Sequence, residues 1–390
     1  MTTFPHAERL RTLPTQFFAS LVKQVNELAA QGHDLINLGQ GNPDLPTPTH
    51  IVDSLKKASE NPINHKYPPF RGIKEFKKAC ATFYEREYGV KVDSEKEIAI
   101  LFGGKAGLVE LPLCLTEPGD GILVPDPGYP DYWSGVSLAN AEMIPMPLIE
   151  ENNFLPNYDS ISVSDLERSK LLFINYPNNP TGATATKEFF DETVALAKKH
   201  KIAVIHDFAY GAIGFEGKKP KSFLSVDGAK EVGVEVYTLS KTYNMAGWRV
   251  GFMIGNPSII EAVELLQDHL YVSLFGAVQE AAITALLEDQ SCVTELVDTY
   301  ESRRNVLVGG LNEIGWEVEA PAGSFFAWLK VPDNFTSVEF SQKLLREAHV
   351  VVAPGIGFGE YGEGYVRVGL LANEDRLREA VERIKRLDIF

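Results

Sequence analysis

The chain has 390 residues, of which 44% are hydrophobic and 23% charged, which is typical of globular proteins and long enough for two domains. Its formal net charge of −16 argues against nucleic-acid or anionic-membrane partners, because both would be repelled. No apolar run reaches membrane-spanning length, and the opening MTTFPHAERLRTLP lacks the apolar core of a signal peptide. Three widely spaced cysteines, Cys80, Cys114 and Cys292, form no metal-binding or disulfide pattern and favour a reducing, cytoplasmic location.

Short apolar runs alternate with helical patterns through the middle of the chain. The runs cover residues 97–102, 121–124, 170–176, 202–207, 235–239 and 250–255. Such near-continuous apolar strands are typical of a parallel sheet that is buried on both faces. The helical pattern at 187–201 has Lys-Lys-His near its end, as the helix dipole favours. Together these patterns predict an α/β sheet built from βαβ units.

The pattern changes after Asn256-Pro257. Residues 258–289 and 293–313 predict two successive helices, three short β-rich runs follow, and an amphipathic helix over 374–387 closes the sequence. Residues 290–390 are therefore predicted to form a smaller α+β domain. Within it, Gly357 to Gly362 match G-x-G-x-x-G, but a β-like run follows the glycines where a dinucleotide site requires a helix. We interpret this motif as a glycine-rich turn.

Five motifs follow predicted strands, where ligands bind in open α/β sheets. The first, Gly103-Gly104-Lys105, opens a predicted helix, where backbone N–H groups can bind phosphate. A plain βα turn explains the same residues equally well. The second motif, Pro127 to Pro130, holds Tyr129, whose ring could stack on a flat ligand. For this motif alone, a structural turn is the better explanation.

The third and fourth motifs place polar groups after buried strands. The run from Asn175 to Gly182 contains Asn179, whose amide can donate to a phenolate or a carboxylate, although an ordinary Asn/Pro loop remains an alternative. The fourth motif contains Asp207 and Tyr210. A carboxylate at the end of a buried strand needs a cationic partner such as a pyridinium nitrogen, unless it caps the next helix.

The fifth motif, YTLSKTYNMAGWRVG at 237–251, combines phosphate donors with a lysine. Thr238, Ser240 and Arg249 can donate to a phosphate, and the Lys241 amine can form a Schiff base with an aldehyde. A single lysine is more often a solvated surface residue. The five motifs together, however, contain the parts needed to hold pyridoxal 5′-phosphate.

With these motifs the chain resembles the class I and II aminotransferases, pyridoxal 5′-phosphate enzymes of fold type I. The resemblance extends from Asn37–Asp44 through Asn179–Gly182, Asp207-x-x-Tyr210 and Ser240-Lys241 to Tyr365–Gly369, which is essentially the whole chain. It implies a large α/β domain over 46–289, with a mostly parallel seven-stranded sheet between helices. It also implies a small α+β domain formed by 1–45 and 290–390.

The resemblance implies a role for each site residue. Lys241 would hold the cofactor as a Schiff base and carry the proton, and Asp207 would pair with the ring nitrogen. Tyr210 and Asn179 would donate to the ring oxygen, and Tyr129 would stack on the ring. The implied phosphate-binding residues are Gly103, Gly104, Lys105, Thr238, Ser240 and Arg249, with Tyr67 reaching over from the neighbouring subunit of a homodimer. Arg367 would bind the substrate carboxylate, with Gly41 and Asn179 beside it.

The expected substrates are an L-amino acid and a 2-oxo acid with neutral side chains. Members specific for dicarboxylates use a second arginine, and none occurs between Arg249 and Arg303; Phe17, Phe18 and Phe325 also lie in segments near the family's pocket. The runs QFFASLV, LFGGKAGLVELP and SLFGAVQEAA resemble the branch near LL-diaminopimelate aminotransferases. That branch includes methionine-salvage enzymes acting on 4-methylthio-2-oxobutanoate, with glutamine or another donor. The alternatives are an LL-diaminopimelate, alanine or aromatic aminotransferase, a C–S β-lyase, and a non-catalytic DNA-binding regulator, which the acidic charge opposes.

Overall fold

The computed structural model describes residues 2–14 and 17–390, and the twelve strands found there form three sheets. The strands are β1 (Ile36–Asn37), β2 (Ile98–Leu101), β3 (Gly121–Asp126), β4 (Glu142–Pro147), β5 (Ser169–Asn175), β6 (Ala203–Asp207), β7 (Gly233–Thr238), β8 (Gly251–Gly255), β9 (Phe326–Lys330), β10 (Val350–Val351), β11 (Ala353–Pro354) and β12 (Tyr365–Gly369). The largest sheet has the strand order β2-β8-β7-β6-β5-β3-β4.

The α-helices are α1 (Glu8–Arg11), α2 (Ala19–Ala30), α3 (Thr49–Ser59), α4 (Lys74–Tyr88), α5 (Gly104–Leu115), α6 (Asp131–Leu138), α7 (Val163–Arg168), α8 (Lys187–His200), α9 (Ala229–Val232), α10 (Leu239–Thr242), α11 (Pro257–Leu270), α12 (Gly276–Leu287), α13 (Ser291–Glu313), α14 (Ser337–Lys343) and α15 (Glu374–Lys385). A π-helical turn, Leu344–Ala348, continues α14. None of the helices in the described ranges is long and apolar enough to cross a membrane.

The large sheet is mostly parallel, as predicted. Strands β4, β3, β5, β6 and β7 pair in parallel, whereas β8 is antiparallel to both of its neighbours, β7 and β2. Strand β2 therefore runs in the same direction as β7. The carboxyl ends of β2, β3, β5, β6 and β7 consequently meet at one edge of the sheet, which is where α/β folds bind ligands.

Helices cover both faces of this sheet. On β2, Ile98 and Ile100 join one apolar core while Ala99 and Leu101 join the other, because successive strand side chains point to opposite faces. Helices α3, α4, α8 and α12 supply residues to the first core, and α5, α6 and α11 supply the second. This burial on both faces explains the continuous apolar runs in the sequence.

A third apolar core lies around β9 and β12, with residues of α13 and α15 packed on it. Strand β1 pairs in parallel with β10, which brings residues near the N-terminus beside the C-terminal third of the chain. Tyr210, Ile213 and Phe215 from the segment after β6 also pack into this core. The division into domains at 45/46 and 289/290 stays a prediction.

Two sequence expectations need correction. The apolar runs omit β4, because it is an edge strand with three exposed residues and contains Pro145 and Pro147. The single helix predicted for 258–289 is wrong, because the helix ends at Leu270 and resumes at Gly276. Extended backbone at Tyr271, with φ −162°, interrupts it and places the Tyr271 ring 4.5 Å from the ring of Phe102.

The glycine-rich motif at 357–362 is a turn, as interpreted from the sequence. Two 3₁₀ turns, Gly355–Phe358 and Glu360–Gly362, precede strand β12 rather than a helix. A Cβ atom on Gly355 would lie 1.9 Å from the Gly362 carbonyl oxygen. Glycine is therefore required here for close packing of the backbone with itself.

Candidate active site

A cavity of about 410 Å³ opens at the carboxyl edge of the large sheet, between this sheet and β12. Its lining includes every residue assigned to the cofactor or the substrate from the sequence except Gly103 and Tyr67. Lys241, Asp207 and Arg367 contribute the central charged groups, and Phe18, Phe326 and Phe358 contribute apolar surface. Residues from distant parts of the sequence are thus brought together at the edge where the strands end.

Lys241 is placed by a single helical turn that follows β7. Thr238 ends the strand, and its Oγ1 accepts the Ser240 N–H at 3.2 Å, which starts the one-turn helix α10. The Lys241 Nζ donates to the Gly41 carbonyl oxygen at 2.8 Å. Burial, with smaller contributions from the charges of Arg367 and Arg249, lowers the pKa of Lys241 to about 8. At pH 7, one unit below this pKa, about a tenth of the amine is unprotonated and nucleophilic, far more than for an ordinary lysine.

Asp207 ends β6 and is buried beneath the cavity. Its Oδ2 accepts from the Tyr132 hydroxyl at 2.8 Å, and its Oδ1 accepts from the Ala209 N–H at 3.3 Å. Within the described ranges it forms no ion pair. Burial raises the pKa of Asp207, which the Tyr132 hydrogen bond partly offsets. A protonated ring nitrogen of a bound ligand would supply the missing counter-charge.

Asparagines fix the loop beside Asp207. The Asn175 Nδ2 donates to the Asp207 carbonyl oxygen at 2.7 Å, and the Asn175 Oδ1 accepts the Asn179 N–H at 2.8 Å. Asn179 in turn accepts from Arg367 through its Oδ1, at 2.9 Å. This geometry leaves the Asn179 amide N–H₂ to donate to a ligand.

The opposite end of the cavity carries donors suited to a phosphate. Helix α5 begins at Gly104, so its first backbone N–H groups have no partner within the helix. Gly103 has φ +80°, and a Cβ there would lie 2.5 Å from the Arg249 Nη2, so glycine lets the guanidinium approach. Arg249 donates to the Ala246 carbonyl oxygen at 2.9 Å. Unlike Arg249, Lys105 forms an ion pair in the structure, with Asp131 at 2.8 Å.

Arg367 lies in the middle of β12 and is buried. Its Nη1 and Nη2 donate to the Asn179 Oδ1 at 2.9 Å and to the Gly39 carbonyl oxygen at 3.0 Å. The guanidinium lies over the Phe326 ring at 4.0 Å and the Phe358 ring at 4.6 Å. Burial lowers the pKa of Arg367 to about 10, and within the described residues no carboxylate pairs with it. A buried cation without an anion is suited to binding the carboxylate of a substrate.

The remaining expectations lie around the cavity. Phe18 lines it, Phe17 packs edge-on against Phe18, and Phe325 faces the Lys241 Nζ at 5.3 Å. Tyr210 and Tyr129 line it, and burial raises the pKa of the Tyr210 hydroxyl. Tyr67 is 90% exposed and lies outside this cavity. Within one chain, therefore, Tyr67 takes no part in the site.

Sequence reasoning missed several site residues. Tyr132 follows Tyr129 by three positions, and helix α6 begins between them at Asp131. Residues three apart at the start of a helix lie on the same side, so a helix predicted at this position would have indicated that the two rings are neighbours. Asn175 stood in the motif but was given no role. Phe326, Phe358 and the Asp131 partner of Lys105 had no sequence signal, because only the fold brings them to the cavity.

Comparison with known proteins agrees with this geometry. Residues 33–384 match the family model for aminotransferase class I and II. The chain is 63% identical to the L-glutamine–4-(methylsulfanyl)-2-oxobutanoate aminotransferase of Bacillus subtilis strain 168, over 99% of this chain and 97% of that protein. It is 47% identical to the LL-diaminopimelate aminotransferase of Syntrophobacter fumaroxidans, over 98% and 99%. The structure of substrate-bound BacF from Bacillus subtilis superposes with a TM-score of 0.95 at 48% identity, covering 99% and 98%.

The donor set fits the cofactor of this family. The cavity has a buried carboxylate that pairs with no cation among the described residues, and a lysine with a lowered pKa. It also has a tyrosine in its lining and an arginine beside a helix N-terminus. These groups are suited, in turn, to the ring nitrogen, the aldehyde, the ring and the phosphate of one molecule. The chain therefore belongs to the class I and II aminotransferases, which depend on pyridoxal 5′-phosphate.

Proposed function

We propose that the protein moves an amino group between a neutral L-amino acid and a 2-oxo acid, with methionine and 4-(methylsulfanyl)-2-oxobutanoate as one pair and glutamine as a donor. The observation that carries this proposal is that the buried Arg367 guanidinium lies beside apolar surface in the cavity. The guanidinium has no carboxylate partner among the described residues, and the rings of Phe326 and Phe358 lie against it. Phe18, whose ring lies 5.2 Å from that of Phe358, also lines the cavity. The 63% identical relative, named for glutamine and 4-(methylsulfanyl)-2-oxobutanoate, supports the choice.

The chain's own residues would divide the chemistry between them. Pyridoxal 5′-phosphate, when bound, supplies a ring that withdraws electrons from the substrate Cα. Arg367 and Asn179 would bind and orient the substrate carboxylate, and Asp207 would hold a proton on the ring nitrogen. Lys241 would anchor the cofactor, and then, once displaced, its neutral Nζ would take the proton from the substrate Cα and deliver it to the C4′ atom of the cofactor. The lowered pKa of Lys241 keeps this amine available as a base.

The other cationic groups support a neutral side-chain pocket. Of the remaining cations that line the cavity, Lys105 is paired with Asp131, and Arg249 lies beside Gly103 at the proposed phosphate end. Among the described lining residues, no further arginine is left for a second carboxylate of the substrate. The walls available to the substrate side chain are aromatic, which favours methionine, glutamine or an aromatic amino acid over aspartate.

A panel of amino acids tests the substrate proposal. Loaded enzyme is mixed with methionine, glutamine, alanine, phenylalanine, aspartate or diaminopimelate, and conversion of the pyridoxal to the pyridoxamine form is followed by absorbance. We expect kcat/KM for methionine and glutamine to exceed that for aspartate by about 100-fold or more, because a desolvated charge without a partner is costly. Fast conversion by aspartate alone would contradict the proposal, and fast conversion by diaminopimelate would favour the alternative substrate. Pyruvate release from cystathionine without an oxo acid would indicate a β-lyase.

We further propose that the enzyme is a cytoplasmic homodimer with shared sites. Ile63, Tyr67, Phe70 and Phe275 expose large apolar side chains, and the nearby His65 ring lies 6.1 Å from that of Phe275. Such a patch is typical of an interface between subunits. Tyr67 would then reach the phosphate of the neighbouring site. The three described cysteines are free, which agrees with a reducing compartment.

A heterodimer of Lys241→Ala and Tyr67→Phe chains tests the sharing. In this heterodimer the Tyr67→Phe chain keeps Lys241, and the Lys241→Ala chain keeps Tyr67. If Tyr67 reaches the neighbouring site, the site with Lys241 receives Tyr67 from the other chain and binds the cofactor with wild-type affinity. The Tyr67→Phe homodimer should bind about tenfold more weakly, because it lacks a hydrogen bond to a charged phosphate. Covalently attached cofactor, fixed by borohydride and counted by mass spectrometry, gives the readout. Weakened binding in the heterodimer would show that Tyr67 does not cross between subunits.

A further inference from the structure

The glycine turn, residues 355–362, sits against the loop that follows β3. Asp126 is the last residue of β3, and its two carboxylate oxygens accept the Glu360 N–H at 3.1 Å and the Tyr361 N–H at 3.0 Å. In the same contact the Gly128 N–H donates to the Phe358 carbonyl oxygen at 2.8 Å. Three hydrogen bonds therefore join the turn to a loop more than 200 positions earlier in the sequence.

The glycines of this turn are needed for that contact. Gly359 has φ +133°, and a Cβ on it would lie 2.0 Å from the Asp126 Oδ1. A Cβ on Gly357 would lie 2.6 Å from the Phe17 ring and 2.7 Å from the Phe18 ring. The turn is thus packed between the Asp126 carboxylate and the phenylalanines before α2. Close packing on both sides thus explains a motif that matches G-x-G-x-x-G but was interpreted from the sequence as a turn.

The turn carries Phe358 into the active-site cavity. The Phe358 ring lies 4.6 Å from the Arg367 guanidinium and 5.2 Å from the Phe18 ring, and Phe18 and Phe358 both line the cavity. Phe358 is therefore placed where it faces the side chain of a substrate whose carboxylate is bound by Arg367. Any displacement of the turn moves this wall.

We propose that Asp126 is a positioning residue for substrate recognition: by holding the glycine turn, it keeps Phe358 against Arg367 as a wall of the substrate side-chain pocket. The inference rests on the proposed function in that Arg367 binds the substrate carboxylate. Burial raises the pKa of Asp126 to about 6, although the two N–H donors lower it, so the carboxylate is ionised at pH 8 and accepts both bonds.

Asp126→Asn tests the proposal at pH 8. An asparagine oxygen can accept one N–H, but its N–H₂ group faces the other N–H and repels it. Binding of 3-phenylpropionate, an unreactive carboxylate with an apolar tail, is measured by calorimetry on cofactor-loaded enzyme. Its Kd should rise at least about tenfold, while cofactor affinity stays unchanged. Hydrogen exchange at the amides of Glu360 and Tyr361 should accelerate by a similar factor.

Controls separate this role from general stability and from the proposed function. Asp120→Asn, at the residue that precedes β3, makes the same side-chain change at the acceptor of the Glu117 N–H, outside the cavity, and should change neither readout. Gly359→Ala, which keeps the carboxylate but crowds it, should weaken 3-phenylpropionate binding in the same way. Faster exchange with an unchanged Kd, or unchanged exchange, would overturn the proposal, as would a wild-type enzyme that does not bind the probe. If no amino acid reacts yet the Kd depends on Asp126, the proposed function fails while this inference stands.

Discussion

Replacement of Lys241 by alanine is expected to abolish amino transfer, with kcat falling at least about 10⁴-fold. The proposed function gives this residue two tasks, to anchor the cofactor covalently and to move the Cα proton. A general base alone contributes about 10²- to 10⁴-fold. Its Nζ reaches into the cavity toward the Gly41 carbonyl oxygen, and no other lysine except the paired Lys105 lines the described cavity. Turnover with the best amino acid of the panel and the visible absorbance of lysine-bound cofactor are the measurements.

A second readout does not depend on activity. Borohydride reduction of wild-type enzyme should leave the cofactor mass on the peptide that contains Lys241, and Lys241→Ala should leave that peptide unlabelled. The rate of attachment to apoprotein should rise with pH through about 8, because the neutral amine reacts and its pKa is lowered to that value. Lys218→Ala, at an exposed lysine, should match wild type in both respects. Retained turnover and absorbance in Lys241→Ala would refute the assignment of this lysine.

The sequence predicts the sheet well because its strands are buried on both faces. Continuous apolar runs correspond to six of the seven strands in the described sheet. The edge strand β4 gives no such run, because three of its six residues are exposed. The helix break at 271–275 is not predicted from the sequence either, because apolar side chains continue through it. There the backbone follows tertiary contacts such as that of Tyr271 with Phe102 and not the local helical pattern.

The site residues likewise fall into those that local sequence predicts and those that only the folded structure brings together. Thr238, Ser240 and Lys241 can be read from the sequence because one strand end and one helical turn position all three. Arg367 was placed by family resemblance, since a strand arginine in β12 has no local signal that it faces Asn179, 188 positions away. Tyr132 and Asp126 act on partners 75 and 234 positions away, so their contacts follow from the folded sheet and from no motif.

Replacement of Asp207 by asparagine is expected to lower kcat by about 10²- to 10⁴-fold, the range that positioned charges and proton donors contribute. The side-chain shape is kept, and the asparagine Oδ1 can still accept from the Tyr132 hydroxyl, which donates to Asp207 at 2.8 Å in the wild-type structure. What is lost is the negative charge that would keep a proton on the ring nitrogen of the cofactor. Asp207→Glu restores that charge at a greater length and should recover part of the rate.

Stability should move in the opposite direction from activity. Burial raises the pKa of Asp207 above its unfolded value, so ionisation costs folding free energy once the pH exceeds the unfolded pKa. The Asp207→Asn apoprotein at pH 7 should therefore have a thermal midpoint equal to or above that of wild-type apoprotein. Nitrogen-15 NMR of labelled cofactor should show the ring nitrogen protonated in wild type and unprotonated in the variant. A variant with wild-type kcat would contradict the role of Asp207 toward the cofactor. A strongly destabilised variant apoprotein would mean that Asp207 serves the fold instead, because a buried charge kept for function lowers the stability of the apoprotein.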